Sequence, residues 1–368
     1  MALENEGQPQ TRSATDRMTR RSFVAAGAFA AGAPVSIRAQ AKPDTSGILN
    51  YNPDMEYRRL GKTGLMVSAV CLGGHWKRVG VMMKPGFKGA GFMKEDFANR
   101  TEVVDRCIER GINYVDACAP QEILAYAKVL RGRRDKMYFG FSWHVREPRF
   151  PEWRDAKKLV EGLDMSMKEA GLDYVDLWRI SLPMEGISDL GTLRRVEEAT
   201  AGALEQARRQ GKTRFTGVST HNRIWLRSVI KEFPSEIQVV LFPYTATSKE
   251  LPADSLFAAI KEHDVGAFGI KPFADNSLFS GNSAPDDPNA AEDDRKARLA
   301  IRNILGNPAI TAPIPGLINI HQVDNAVQAV KERRDLDLKE KAELEEAGRR
   351  MWAGLRPGYE WLRDWEYV

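Results

Sequence analysis

Asp116, His75 and His144 are the residues of this chain best suited to moving protons, and Lys271 is suited to contacting a phosphate or a substrate. Each stands at or just past the end of a short apolar run. A carboxylate and two imidazoles cover the protonation states that general acid–base catalysis needs near neutral pH. Ser219 closes another such run and is followed by Thr220, His221 and Asn222. Arg179 precedes Ser181 by two positions, so both side chains share one side of an extended strand. Arg179 is therefore expected either to bind an anionic substrate or to pair with Asp116. His75, Asp116, His144 and His221 also make a loose ligand set. No His-x-His or His-Glu-x-x-His spacing accompanies it, so no metal is expected.

These residues need a frame that brings them together. Apolar, β-branched runs occur at 67–72, 113–117, 137–142, 175–181, 215–219, 237–242, 266–270 and 312–314. Their near-continuous hydrophobicity predicts strands buried on both faces, as in a parallel sheet. Amphipathic stretches lie between them, near 99–110, 121–131, 152–170, 191–210, 222–232, 253–263, 294–306 and 321–333. Gly111, Gly171 and Gly211 follow three of these and suit left-handed C-caps. Eight strands alternating with eight helices predict an α/β (β/α)8 TIM barrel, whose strand C-terminal ends carry the site. A doubly wound open sheet is the alternative, but no Gly-x-Gly-x-x-Gly follows a first strand. Residues 77–98 and 275–293 read as extended βα loops at the rim. Past 347 comes an aromatic C-terminal tail, 348–368, expected to pack across the barrel mouth or the outer helices.

Composition narrows the function. The chain has 368 residues, 43% hydrophobic and 28% charged, with 54 basic residues nearly cancelling 50 acidic ones. That excludes a disordered chain and gives no basic surface for nucleic acid. Three cysteines, at 71, 107 and 118, form no disulfide framework. The first 41 residues read as an address. Arg20-Arg21 sits in Thr-Arg-Arg-Ser-Phe-Val-Ala, an apolar stretch runs from Phe23 to about Val35, and Ala39-Gln40-Ala41 is a small-x-small cleavage pattern. This is a twin-arginine export signal, so the Tat translocase is an expected partner and the periplasm the expected destination. The apolar stretch is too short to span a bilayer core of about 30 Å, and no stable membrane span is expected after cleavage. Residues 42–54 read as a linker to a barrel over 55–347.

Several segments resemble the aldo/keto reductase family. Tyr57-Arg58-Arg59-Leu60-Gly61-Lys62-Thr63-Gly64-Leu65 with Val67-Ser68 is similar to its opening hairpin, which closes the barrel floor. Val70-Cys71-Leu72-Gly73-Gly74 resembles its first strand, and Gly111-Ile112-Asn113-Tyr114-Val115-Asp116 the strand carrying its catalytic aspartate. Arg131-Gly132-Arg133-Arg134-Asp135-Lys136, Leu172-Asp173-Tyr174-Val175-Asp176-Leu177 and Gly211-Lys212-Thr213-Arg214-Phe215-Thr216-Gly217-Val218-Ser219 are further matches. Asn307-Pro308-Ala309-Ile310, Ile314-Pro315-Gly316, Gln322 and Asn325 resemble its dinucleotide-phosphate segment.

The resemblance implies a nicotinamide cofactor, NADP with NAD as the alternative, and a small carbonyl or sugar-like substrate. It implies cofactor contacts at Ser219, Gln238, Lys271, Gly316, Gln322 and Asn325, with Gln238 on the carboxamide and Lys271 on the pyrophosphate. Of the family's four catalytic positions it leaves only Asp116. The Tyr falls at Gln121, the Lys at Ser142 and the His at Ser181. Gln and Ser do not donate protons near neutral pH, so His75 or His144 is expected to substitute; Tyr126, one turn further on, is another candidate. A barrel that only binds, and a non-redox sugar isomerase or lyase, remain alternatives.

Overall fold

The computed structural model describes residues 45–74, 94–182, 187, 189–281 and 287–368, with side chains in the first helix from residue 98. The export signal and His75 lie outside the described residues. The described compact unit begins with a hairpin, β1 (Tyr57–Arg59) and β2 (Met66–Ser68), paired antiparallel with Arg58 opposite Val67. A parallel sheet follows in the order β3 (Tyr114–Ala117), β4 (Tyr138–Phe141), β5 (Val175–Leu182), β6 (Thr213–Thr220), β7 (Val239–Pro243), β8 (Gly266–Ile270), β9 (Ala312–Ile314).

Residues 71–73 close the ring as its eighth stave. Leu72 N–H donates to the Tyr114 carbonyl at 3.0 Å, and Asp116 N–H donates to the Leu72 carbonyl at 2.9 Å. On the other side Cys71 N–H donates to the Pro313 carbonyl at 3.1 Å and Gly73 N–H to the Pro315 carbonyl at 2.8 Å. The fold is the expected (β/α)8 barrel. One expectation needs correcting: the run 67–72 is not one strand. Val67 belongs to the hairpin, while Cys71 and Leu72 belong to the barrel wall.

Helices α1 (Lys94–Glu109), α2 (Pro120–Val129), α3 (Ala156–Ala170), α4 (Leu190–Arg209), α5 (Arg223–Glu232), α6 (Leu256–Glu262), α7 (Ala290–Leu305) and α8 (Ile320–Lys331) alternate with the strands. Their ends are chemically specified. Asp155, Asp189, Asn222 and Asn319 accept backbone N–H groups at the starts of α3, α4, α5 and α8, each cap contributing about 1 kcal/mol. Gly171 ends α3 at φ +64, a conformation an L side chain adopts only with strain.

Two apolar clusters follow from the two faces of the strands. Inside the barrel, Tyr114, Leu177, Val239, Leu241, Phe268 and Ala312 pack on Leu60, Leu65 and Val67 of the hairpin, which plugs the floor. Outside, Val240, Phe242, Val115 and Ile180 pack on the helices. Each fully buried side chain of this size stabilises by roughly 1.5–3 kcal/mol. Gly61 is required where the hairpin meets β8: a Cβ there would stand 2.2 Å from the Gly266 nitrogen.

Helix α9 (Leu338–Ala353) leads into the tail, which is built into the fold. Leu362, Trp365 and Val368 are fully buried. Lys249 N–H donates to the Glu366 carbonyl and Val368 N–H to the Lys249 carbonyl, both at 2.8 Å. Trp365 stacks on Phe242, the ring centroids 5.6 Å apart. The tail lies across the mouth, as its aromatics suggested.

Candidate active site

Asp116 is the penultimate residue of β3, and it is 4% exposed. Arg179, from the middle of β5, turns into the barrel and closes on it. Arg179 Nε donates to both carboxylate oxygens at 3.1 Å, and Nη2 donates to Oδ1. Arg179 Nη1 donates to Ser219 Oγ on β6 at 2.9 Å, and Tyr114 Oη donates to Asp116 Oδ2 at 3.2 Å. Burial disfavours the charge on Arg179, but the attraction and hydrogen bond of Asp116 outweigh it, and its pKa is raised. Asp116 is therefore the anchor of a buried, permanently charged cation.

Behind this pair lies a carboxylate that sequence reasoning did not single out. Glu147 is 2% exposed. It accepts from Ser142 Oγ at 2.8 and 2.9 Å, from Trp143 N–H at 2.8 Å and from Ser181 N–H at 2.8 Å. Burial pushes its pKa up to about 7, against the lowering effect of these donors and of Arg179. Glu147 thus ties the ends of β4 and β5 together through both serines.

A cavity of about 870 Å3 opens above the pair. It is lined by Asp116, Arg179, Ser219, Lys271 and His144 at the strand ends, and by Leu317, Asn319, Gln322 and Asn325 beside the first turns of α8. Lys271 follows β8 and has φ +57, in a loop where Ala274, Asp275 and Asn276 are also left-handed. Its ammonium stands 5.7 Å from the Tyr359 ring centroid and 5.6 Å from that of Trp361, both in the tail. Burial lowers its pKa; Cys118 and Glu122 oppose that and Arg179 adds to it. His144 lines the cavity, with Nδ1 2.8 Å from the Cys118 carbonyl. A carbonyl only accepts, so Nδ1 carries the proton.

The structure thus brings together Asp116, His144, Ser219, Lys271, Gly316, Gln322 and Asn325 around one cavity. Besides Asp116, Ser219 and His144, whose partners are given above, Gln322 and Asn325 are also engaged internally. Gln322 Oε1 accepts from Ile318 N–H at 3.0 Å, and Asn325 Oδ1 accepts from Arg298 at 2.6 Å. Gln238 is not brought there, which corrects its assignment to a carboxamide. It precedes β7 at the end away from the mouth, where its Oε1 accepts from Thr216 N–H at 3.2 Å. The residue level with Ser219 on β7 is Leu241. Tyr126 is also a packing residue: it is fully buried and donates to the Gly73 carbonyl at 2.6 Å. His221 lines the cavity and stacks on Trp361, centroids 3.8 Å apart. Glu122, which was missed, also lines the cavity, as do Tyr359 and Trp361 of the tail. Glu122 had a signal, being one residue past Gln121 on the helix that follows Asp116.

The aldo/keto reductase family profile matches residues 80–349. The chain belongs to the aldo/keto reductase family. It is 24% identical over 306 residues to L-galactose dehydrogenase of Arabidopsis thaliana, covering 77% of this chain and 91% of that protein. Aldo-keto reductase AKR11C1 from Bacillus halodurans shares the fold in both its holo and apo forms. Each superposes with a TM-score of 0.55 at 20% identity, covering 83% of this chain and 99% of that one.

Proposed function

We propose that this protein is a nicotinamide-dependent oxidoreductase that interconverts a carbonyl and an alcohol on a small polyhydroxylated substrate, with proton donors other than the family's. The observation that carries the reading is the one continuous cavity. It joins a charged strand-end cluster to the first turns of α8, and about 870 Å3 is ample for an extended ligand. The dehydrogenase relative of known sugar name supports the substrate class. A bound nicotinamide supplies or accepts a hydride at the strand ends. Ser219 would border its ring end, and the N–H groups opening α8 would face its phosphates. Trp361 and Tyr359 give the substrate side aromatic walls, suited to the apolar faces of a sugar.

The resemblance alone suggested NADP; the lining favours NAD. The nucleotide end is bordered by Asp275, Asp293, Asp294 and His321. Asp294 holds His321 at 2.6 Å. The nearby Arg298 is committed to Glu332 at 2.9 Å and to Asn325. Lys296 is committed to Glu292 and Asp293. A ribose hydroxyl can donate to such carboxylates, whereas a 2′-phosphate is repelled by them. The twin-arginine motif at Arg20-Arg21 supports export to the periplasm through the Tat translocase.

Titration of the protein's fluorescence with NADH and NADPH tests this. NADH is expected to bind at least tenfold tighter, and Asp294→Asn to narrow the gap by improving NADPH alone. Turnover is then sought with NAD and a panel of aldoses including L-galactose. Failure to bind either nucleotide refutes the oxidoreductase reading, and binding without turnover favours a binding barrel. Preference for NADPH refutes the nucleotide assignment only.

A further inference from the structure

Three observations narrow the choice of proton donor. First, Asp116 cannot receive or pass on a proton through its partner. Its oxygens are taken by Arg179 Nε and Nη2 and by Tyr114 Oη, and an arginine guanidinium does not deprotonate in a protein. Second, Lys271 is held where a lysine is uncomfortable. Its φ of +57 costs roughly 1–2 kcal/mol for a residue with a Cβ. Ala274 N–H donates to its carbonyl at 2.9 Å and locks that turn. Backbone strain retained at a cavity wall points to a positional demand. Third, the Lys271 ammonium is directed at the faces of Tyr359 and Trp361. Those rings are fixed from below. Trp361 lies on His221, Trp365 donates to the His221 carbonyl at 3.0 Å, and the last residues pair with 249–251.

We propose that Tyr359 and Lys271 are the proton-transfer pair of this site, assembled from the C-terminal tail and the end of β8. Tyr359 exchanges a proton with the substrate oxygen, and Lys271 holds and restores that proton. The assignment rests on the oxidoreductase reading above and names the donor it lacks. In the reducing direction, hydride addition to the carbonyl carbon sends the π electron pair to oxygen. The Tyr359 O–H bond breaks as the new O–H bond forms. The phenolate takes a proton from the Lys271 ammonium, and the amine is recharged from water in the cavity. In oxidation each transfer reverses. The ionisable groups facing the pair are Cys118, Glu122 and Arg179 around Lys271, and Arg356 and Cys118 around Tyr359. Burial, the largest effect on each, raises the phenol pKa and lowers the ammonium's. That keeps the phenol protonated at neutral pH and shifts the balance towards the ammonium giving its proton to the phenolate.

The test uses the full chain and has two arms. In the first, the ultraviolet tyrosinate band is titrated in wild type and Tyr359→Phe, and in Lys271→Met and Lys271→Arg with and without Tyr359→Phe. Each pairwise difference isolates Tyr359. Its ionisation is expected to rise by about one unit or more in Lys271→Met and to stay near the wild-type position in Lys271→Arg. An unmoved ionisation in Lys271→Met overturns the pairing, whether or not a substrate is known. In the second arm, Tyr359→Phe is expected to lower kcat about 10²- to 10⁴-fold on any aldose the wild type turns over. NADH affinity should stay within about twofold. Retention of more than a tenth of wild-type kcat overturns the donor assignment. Absence of NADH binding by the wild type is a different failure, since it removes the parent reading.

Discussion

Replacing Arg179 by Met leaves the Asp116 carboxylate buried in the barrel with only Tyr114 Oη as a donor among the contacts described above. Breaking a buried ion pair by removing one partner costs about 3–5 kcal/mol, because the remaining charge stays in a low dielectric. Unfolding entropy of about 2.1 cal/mol/K per residue, over the compact unit spanning 44–368, makes 1 kcal/mol worth about 1.5 °C of Tm. The single change should therefore lower Tm by about 4–7 °C. Asp116→Leu alone should cost a similar amount, since it strands the guanidinium with Ser219 as its near acceptor. The double variant Asp116→Leu/Arg179→Met removes both charges together. It should recover most of the loss, because well-packed apolar replacements of buried pairs are close to neutral. Calorimetry or urea melts of the four proteins complete the cycle, with an expected coupling of about 5 kcal/mol or more. Single changes costing under about 1 kcal/mol, or a double variant as poor as the sum of the two, would refute the claim that this pair is a mutually dependent buried unit.

Glu147 carries a pH dependence. Its folded pKa is about 7, above the ordinary 4.5. The folded state then holds a proton that the unfolded chain releases between those values. Its contribution is full below about pH 4.5, falls as pH rises towards 7 and is flat beyond, a loss of about 3 kcal/mol. Urea melts at steps from pH 4.5 to 8 should show the wild type losing this much relative to Glu147→Gln, which cannot titrate; parallel curves would contradict it. Trp365→Ala should cost about 3–5 kcal/mol, since the ring is fully buried against Phe242. Its effect on kcat should exceed its effect on nucleotide affinity, because it loosens Tyr359 and leaves α8 untouched; equal losses would tell against the tail's role in the site.

The barrel was legible in the sequence because its strands are buried on both sides, which leaves short unbroken apolar runs at regular intervals. The run at 67–72 misled for the same reason. Hydrophobicity marks burial, and the hairpin residue Val67 is as buried as the barrel residue Leu72. Asp116, Lys271, His144 and Ser219 were found because strand ends can be located from such runs. Gln238 was misplaced by register: the mouth end of β7 lies at Phe242 and Pro243, level with Gly269 and Ile270 of β8, several residues beyond it. Glu147 was beyond reach, and for Tyr359 and Trp361 the sequence offered the mouth or the outer helices without deciding between them. Glu147 follows its strand by a turn whose path no periodicity reveals. The tail residues come to the mouth through contacts more than a hundred positions apart in the chain, such as Trp365 with His221.

The hairpin plug has a kinetic consequence. With Leu60, Leu65 and Val67 sealing one end of the barrel, the reactant and coenzyme proposed above would share the mouth that the described residues leave at the other. Whichever molecule lies deeper arrives first and departs last, so steady-state rates should follow an ordered sequence, and the slowest traffic through that doorway caps turnover however fast the bond-making is.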